Sequence, residues 1–99
     1  MNIFDLPEHA LPEEMITVLA ETGDVRIERI VSTGQTSGWY DQMETEFVIL
    51  LEGHAVIEFE NGESTAMSRG DTIVISPHER HRVSFTSIKP PCVWICVFY

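Results

Sequence analysis

The stretch from Gly34 to Gly53, GQTSGWYDQMETEFVILLEG, places polar side chains directly before an apolar run that is typical of a buried β-strand. Side chains on a strand alternate between its two faces, so residues of one parity share a face. From position 40 to position 50 the even-numbered residues are Tyr40, Gln42, Glu44, Glu46, Val48 and Leu50. Because Val48 and Leu50 indicate an inward face, a strand without a bulge would turn the polar side chains inward as well.

Polar groups that point into the interior of a small β-domain lower its stability unless they are paired or bind a ligand. A second inward face is expected where His81, Val83 and Phe85 share one parity. A histidine and a carboxylate on the inward faces of two strands are suited to bind a metal ion or to act as an acid–base pair. The sequence therefore predicts a site that combines Glu46 with His81. His54 shares its face with polar neighbours and is expected to be solvated.

Short β-rich runs separated by turn signals make up most of the chain. Asn61-Gly62 is a strong hairpin signal, and Pro90-Pro91 precedes a last apolar run. Strands at this spacing predict an antiparallel sandwich or barrel. The segment Pro12–Thr22 is ambiguous, since Pro-Glu-Glu is typical of a helix start whereas its β-branched residues favour a strand. The turn at Thr22-Gly23 slightly favours a strand that folds back on Val25–Val31.

The composition limits the classes of partner and compartment. With 99 residues the chain is expected to form a single domain. Six basic against sixteen acidic residues give a net charge of −10, which argues against nucleic acid and anionic membranes as partners. No apolar run reaches the roughly 20 residues that span a bilayer, and the acidic start lacks the pattern of a signal peptide. A cytoplasmic protein is therefore expected.

The two cysteines, Cys92 and Cys96, lie four residues apart in the last apolar run. On one strand their Cα atoms would be about 13 Å apart, whereas a disulfide needs less than about 7 Å. They are expected to be free, as in a reducing compartment, and to act as small buried hydrophobic residues outside any site.

The first of two motifs in the chain resembles the first motif of the cupin superfamily. That motif runs glycine, five residues, His-x-His, three or four residues, glutamate, six residues, glycine. Gly34, Glu46 and Gly53 lie in register with it. Tyr40 and Gln42 stand at the two histidine positions, so the usual histidine pair is replaced.

The second motif resembles the other cupin motif, which runs glycine, five residues, Pro-x-Gly, two residues, histidine, three residues, asparagine. In the stretch GDTIVISPHERH, Gly70 and His81 lie in register. Ser76 stands at the proline position, His78 at the glycine and Phe85 at the asparagine. The resemblance covers about residues 34–85, which includes both predicted site residues.

The resemblance implies an all-β fold, a small antiparallel β-barrel or double-stranded β-helix known as the cupin jelly roll. It implies a single cupin domain over residues 1–99, with an N-terminal arm of about residues 1–12 and a barrel of about residues 15–99. Small cupins often pair, and exposed sheet edges with few lysines favour pairing, so a homodimer is expected.

Cupins typically bind iron, manganese, zinc or nickel through three histidines and one glutamate. The resemblance leaves this chain Glu46 and His81, with Gln42 as a weak oxygen donor and His78 as a further candidate from a loop. Such a set would bind a divalent metal less tightly than three imidazoles would. Tyr40 ligates only as a phenolate and is expected instead to act as an acid or a hydrogen-bond donor.

Two functional hypotheses stay open. One is a metal-dependent cupin enzyme of the dioxygenase, isomerase or decarboxylase type, with Tyr40, Glu46 and His81 as catalytic residues. The other is a module without metal that binds a small molecule or serves as a sensor or interaction domain, since a fold does not by itself give a function. Both compete with a structural interpretation, in which Glu46 accepts hydrogen bonds from Tyr40, Arg80 or Arg82 and only stabilises the barrel.

Overall fold

The computed structural model describes residues 1–99 and contains eight β-strands and no helix. The strands are β1 (Met15–Thr22), β2 (Val25–Ser32), β3 (Glu46–Glu52), β4 (Ala55–Phe59), β5 (Ser64–Met67), β6 (Thr72–Ile75), β7 (His81–Thr86) and β8 (Cys92–Phe98). Accordingly, no helix could cross a membrane. The all-β fold class is confirmed, and the ambiguous segment after Pro12 forms the strand β1.

The strands form two antiparallel sheets that enclose one core. Five strands pair in the order β1-β2-β8-β3-β6, and three pair in the order β5-β4-β7. The core consists of buried apolar side chains from both sheets, namely Val48, Leu50, Ala55, Ile57, Phe59, Met67, Ile75, Cys92, Trp94, Cys96 and Phe98. Both cysteines are free and buried, as predicted. The small antiparallel barrel expected from the strand spacing is confirmed.

The predicted hairpin at Asn61-Gly62 joins β4 to β5. The Phe59 amide donates to the Glu63 carbonyl over 2.8 Å, and the Gly62 amide donates back to the Phe59 carbonyl over 3.0 Å. Gly62 has a φ of 92°, which glycine adopts without the steric cost of a Cβ. The turn therefore fixes the register of the three-stranded sheet.

The segment before β3 differs from the continuous strand that the sequence predicted. The strand begins only at Glu46, and Tyr40 instead bridges to His81 at the start of β7 in the other sheet. The Tyr40 amide donates to the His81 carbonyl over 2.7 Å, and the His81 amide donates back over 3.2 Å. Residues 41–45 therefore cross from the small sheet to the large one.

A second difference concerns Phe85, which was predicted to point inward with His81 and Val83. The pairing of β4 with β7 shifts between Val56 and Ile57, so that Val56 pairs with Phe85 and Ile57 with Val83. Strand β7 therefore has one extra residue between these two pairs. Side chains that follow it point to the face opposite to the one that simple alternation predicts. As a result the Phe85 side chain is 49% exposed, while His81 and Val83 still face the interior.

The N-terminal arm is attached to the outer face of the large sheet. Arg29 on β2 is buried, and its Nη1 donates to the carbonyls of Ile3 and Asp5. Nearer the barrel, the Leu11 amide donates to Thr33 Oγ1 over 2.8 Å. These contacts cover the odd-numbered face of β2, so the even-numbered face is turned to the interior.

Gly53, in the turn between β3 and β4, is held against the start of β8. It has a φ of 93°, and a Cβ there would lie 2.7 Å from the Pro91 carbonyl oxygen and 2.9 Å from Cys92 Cα. We predict that Gly53→Ala lowers the free energy of unfolding by about 2–5 kcal/mol. Of this loss, the left-handed backbone at position 53 accounts for about 1–2 kcal/mol and overpacking by the added Cβ for about 1–3 kcal/mol. Urea denaturation of the parent and the variant measures the total loss.

Gly62→Ala is the matched control, because Gly62 has nearly the same φ but nothing within 4 Å of an added Cβ. It should lose only the backbone contribution of about 1–2 kcal/mol. Equal losses in the two variants would contradict the packing argument for Gly53.

Strand β1 forms one edge of the large sheet, and its outer side has no partner strand. Ile16 and Val18 on this strand are more than half exposed, and the strand carries no lysine or arginine that would oppose pairing. We predict that two copies pair through this edge into a homodimer of twice 11.3 kDa. Light scattering measures the mass.

Val18→Lys should shift the equilibrium towards the monomer. The control is Val74→Lys, at a similarly exposed valine on the opposite edge strand β6, and it should leave the mass unchanged. A parent mass near 11.3 kDa throughout the micromolar range would show that this edge does not pair in solution.

Candidate functional site

A cavity of about 240 Å³, here called the barrel cavity, lies between the two sheets. Residues from both sheets and from the segments before β1 and β3 line it. They are Glu14, Ile16, Arg26, Glu28, Ile30, Ser32, Ser37, Tyr40, Gln42, Glu46, Val48, Ile57, Ile75, His81, Val83, Trp94, Cys96 and Phe98. The predicted site residues Tyr40, Gln42, Glu46 and His81 are thus brought together.

Glu46 is the first residue of β3, which lies between β6 and β8. The central position of this strand leaves Glu46 only 8% exposed. Its Oε1 accepts a hydrogen bond of 3.0 Å from Gln42 Nε2. The arginines proposed as its partners in a structural network lie elsewhere, since Arg80 pairs with Glu60 and Arg82 with Glu58.

His81 is the first residue of β7 and is 4% exposed. Its Nδ1 lies 2.8 Å from the Glu79 carbonyl oxygen, and a carbonyl only accepts hydrogen bonds, so Nδ1 carries the proton. Its Nε2 lies 3.8 Å from Glu46 Oε1. In the neutral tautomer that this hydrogen bond selects, the lone pair of Nε2 lies on the side of Glu46.

Tyr40 stands beside His81, with the two ring centroids 5.6 Å apart. Burial, together with the Glu14 and Glu46 carboxylates, raises the pKa of the Tyr40 phenol. Because the ordinary value is already near 10, the phenol stays protonated at neutral pH. The Tyr40 hydroxyl therefore keeps its proton, so it can donate a hydrogen bond and offers no phenolate ligand.

The two other histidines of interest lie outside the barrel cavity. His78 points to the surface, where its Nδ1 lies 2.7 Å from Asp41 Oδ1. Its φ of 60° explains why glycine is usual at this motif position, since a left-handed backbone is uncommon for other residues. His54 is exposed, as predicted, with Ser68 Oγ 3.4 Å from its Nδ1.

Cys96 was predicted to lie outside the site, but its side chain lines the barrel cavity. It occupies the inward face of β8 together with Trp94 and Phe98, a parity that the sequence pattern already contained. Burial and the neighbouring Glu46 carboxylate raise the pKa of the Cys96 thiol far above its ordinary value. The group is therefore a neutral thiol at neutral pH.

Arg26 and Glu28 on β2 are lining residues that sequence reasoning missed, because Val25 and Ile27 suggested the opposite inward face. Arg26 Nε lies 2.8 Å from Glu28 Oε2, and its Nη1 lies 3.0 Å from Glu44 Oε2. The guanidinium also covers the Phe98 ring at 4.3 Å. The orientation of β2 depends on the N-terminal arm, which covers the face of its odd-numbered residues. The sequence of β2 alone does not indicate this contact.

Comparison with known proteins agrees with this architecture. Residues 27–98 match the family Cupin_2, described as a cupin domain. The protein is a cupin. The cupin resemblance inferred from the motif spacing is thereby confirmed at the level of the family and its fold. No curated protein matches the sequence.

Solved structures of other proteins share the fold over most of this cupin. A protein from Ralstonia eutropha JMP134, provisionally described as a mannose-6-phosphate isomerase, superposes with a TM-score of 0.92 at 36% identity, over 99% of this chain and 94% of that one. A cupin superfamily protein from Desulfitobacterium hafniense DCB-2 gives 0.81 at 16% identity, over 93% and 82%. KdgF from Halomonas sp. gives 0.77 at 19% identity, over 92% and 83%. The last two show the fold alone.

The residues of this cupin do not fit the metal centre that the family implies. No group of three or more His, Cys, Asp or Glu side chains is placed to hold a metal ion. The strong donors in the barrel cavity are the Glu46 carboxylate and His81 Nε2, whereas protein metal sites of this kind use three or four. Gln42 turns its Nε2 to Glu46, and the Tyr40 phenol stays protonated. The side chains of the barrel cavity therefore offer fewer strong donors than such a metal centre needs.

Restoring the two motif histidines tests this placement. Tyr40→His with Gln42→His would bring three imidazoles to the cavity wall beside Glu46. We predict that the double variant binds nickel or zinc at least about tenfold more tightly than the parent, because imidazole is a better donor to these ions than an amide or a phenol. Calorimetric titration of both proteins measures the difference.

Met43→His is the control, since Met43 lies in the same segment but is 80% exposed and does not line the barrel cavity. It should leave the metal affinity of the parent unchanged. A double variant that binds metal no more tightly than the parent would mean that positions 40 and 42 do not face Glu46 and His81.

Proposed function

We propose that this cupin binds a small organic molecule in the barrel cavity, in direct contact with Glu46 and His81 and without a metal ion. The observation that carries the proposal is the buried Glu46–His81 pair on the wall of that cavity. A mostly apolar cleft with a few convergent polar groups is the usual form of a small-molecule site. The Trp94 and Phe98 rings supply apolar surface around the pair.

The distance within the pair favours a binding site over a structural network. Glu46 Oε1 and His81 Nε2 are 3.8 Å apart, which is longer than a hydrogen bond. A pair that served only stability would be expected to close this gap, because buried polar groups are costly when they are not hydrogen-bonded. Both groups instead keep bonding capacity for a third molecule.

The size of the barrel cavity limits the ligand. Small-molecule sites commonly measure about 300–1,000 Å³, and the barrel cavity measures about 240 Å³. At about 30 Å³ for each water in the liquid, it corresponds to about eight waters. The cavity therefore accommodates a small metabolite, or one small moiety of a ligand that extends beyond it.

A second candidate function is proton-transfer catalysis, and the arrangement around His81 supports it. The Glu79 carbonyl fixes the tautomer that leaves Nε2 as a base, and Tyr40 beside it is a protonated acid. A base and an acid on one cavity wall suit an isomerisation, in which one removes a proton and the other supplies one. The Ralstonia relative is described as an isomerase, and that description agrees with this candidate.

The test of the proposed function compares three variants at histidine or glutamate positions. We predict that His81→Ala and Glu46→Gln each lower the affinity for ligands found in a thermal-shift screen by at least about tenfold, because each removes a charge-assisted or polar contact. His54→Ala should bind like the parent, since His54 lies outside the barrel cavity. The screen is run with a chelator present, and the affinities are then measured by calorimetry.

Folding of each variant is checked by circular dichroism, and His81→Asn replaces His81→Ala if the cavity left by alanine unfolds the protein. Equal affinities in all three variants would exclude Glu46 and His81 as ligand contacts. Binding that appears only after a divalent metal is added would reverse the proposal in favour of a metal-dependent site. Exchange of ligand C–H for deuterium in D₂O, lost in Tyr40→Phe, would support the catalytic candidate.

A further inference from the structure

The charges that line the barrel cavity are predominantly negative. Three carboxylates, those of Glu14, Glu28 and Glu46, face it against the single guanidinium of Arg26. Charged groups in a concave, partly desolvated cleft interact more strongly than they would in water. The charge of a ligand therefore decides whether it enters this cavity.

The one cation of the lining is already neutralised. Arg26 pairs with Glu28 at 2.8 Å and with Glu44 at 3.0 Å, and its guanidinium is packed on the Phe98 ring. An anionic ligand would have to displace two carboxylates from Arg26 before it gained a contact with the guanidinium. Arg26 is thus a closed ion-pair group and not an open anion site.

Glu14 is the opposite case, a carboxylate of the cavity wall without a partner. None of the six ion pairs of the protein includes it, and its side chain makes no hydrogen bond. Burial, followed by the nearby Glu28 carboxylate, raises the pKa of Glu14. The apo protein therefore carries a charge here that its own fold does not stabilise.

Glu46, more than nine-tenths buried, provides a second, independent anion on the same wall. Its contacts are the Gln42 amide, the Cys96 thiol and the His81 ring, so neither a lysine nor an arginine balances it. Burial of an uncompensated carboxylate is costly. A bound cation would remove that cost for Glu46 and for Glu14 together, and the aromatic faces of Tyr40 and Trp94 would favour it further.

We infer that the barrel cavity takes a small organic cation, an amine that is protonated at neutral pH, and that it rejects phosphate esters and carboxylates. The inference rests on the proposed function and names the class of its ligand. It separates this cupin from what the description of the Ralstonia relative would suggest, since a sugar phosphate would place its anion among the unpaired carboxylates. The ligand would supply the positive charge, because the guanidinium of Arg26 in the lining is already paired with Glu28 and Glu44.

The experiment uses probes of one skeleton and different charge: mannosamine, mannose and mannose 6-phosphate. A second series on a shorter skeleton consists of ethanolamine, ethylene glycol and glycolate. Each is titrated into ¹⁵N-labelled protein, and the shifts of cavity resonances are followed by NMR. In at least one series the amine should bind at least about tenfold more tightly than the neutral probe, and the anion of either series should not bind.

Two acidic positions provide a matched pair of variants. Glu14→Gln should weaken amine binding by at least about fivefold and raise the melting temperature of the apo protein, because it removes an unpaired, partly buried charge. Glu21→Gln changes the net charge equally but lies at an exposed position of β1 outside the cavity. It should leave amine affinity unchanged. If Glu14 had a merely structural role, its replacement would not raise the melting temperature of the protein and lower its affinity for the amine at the same time.

Several outcomes would overturn the inference. They are binding of an anionic probe as tight as that of the amine, no shift with any amine at millimolar concentration, and equal loss of amine affinity in the two glutamine variants. Neutral or anionic molecules that bind in the cavity at least as tightly as the amine, through Glu46 and His81, would overturn the inference while the proposed function stands. If no molecule of any charge binds in the cavity, the proposed function fails as well.

Discussion

Burial of the Glu46 carboxylate beside the His81 imidazole is the constraint on which the rest of this cupin depends. The two residues begin strands in different sheets, so their side chains meet only when both sheets keep their register. The backbone bridge between Tyr40 and His81 fixes the small sheet to the segment that leads into β3. A carboxylate that is 8% exposed would otherwise lower the stability of a 99-residue domain considerably. The site is therefore built from the same contacts that close the barrel.

The negative lining extends this constraint from one residue to the whole cavity. Arg26 compensates Glu28 and Glu44 near the Phe98 ring, whereas no lysine or arginine pairs with Glu14 or Glu46. A protein under selection for stability alone would replace or pair such groups, because optimising charges is one of the routes by which natural proteins are readily stabilised. Their presence is best understood as stability given up for binding, which is why stability and affinity are expected to respond in opposite directions at Glu14.

The alternation of side chains along the strands was sufficient to predict that Glu46 and His81 face the interior. It was not sufficient to predict the other residues that line the barrel cavity. The inward orientation of Glu46 and His81 was predicted correctly because both stand at the start of regular strands. Phe85 was misplaced because a bulge on β7 reverses the faces, and no local residue type announces it. The face of β2 was missed because Arg29 is buried under the carbonyls of the distant Ile3 and Asp5. Long-range packing of this kind decides which face of an amphipathic strand is inward, and it leaves no signal in the strand itself.

Replacement of the histidine pair changes how the carboxylate is held. In the usual motif the residues at positions 40 and 42 would help to hold a metal ion, and the ion would orient the glutamate. Here the Gln42 amide donates directly to Glu46 Oε1, and the Tyr40 ring packs beside His81. Gln42 thus orients the carboxylate without a metal, and it does so without adding positive charge. The backbone that supports a metal site of imidazoles in the usual motif is left here with a buried carboxylate and no lysine or arginine beside it, which is why we expect the ligand to carry the positive charge.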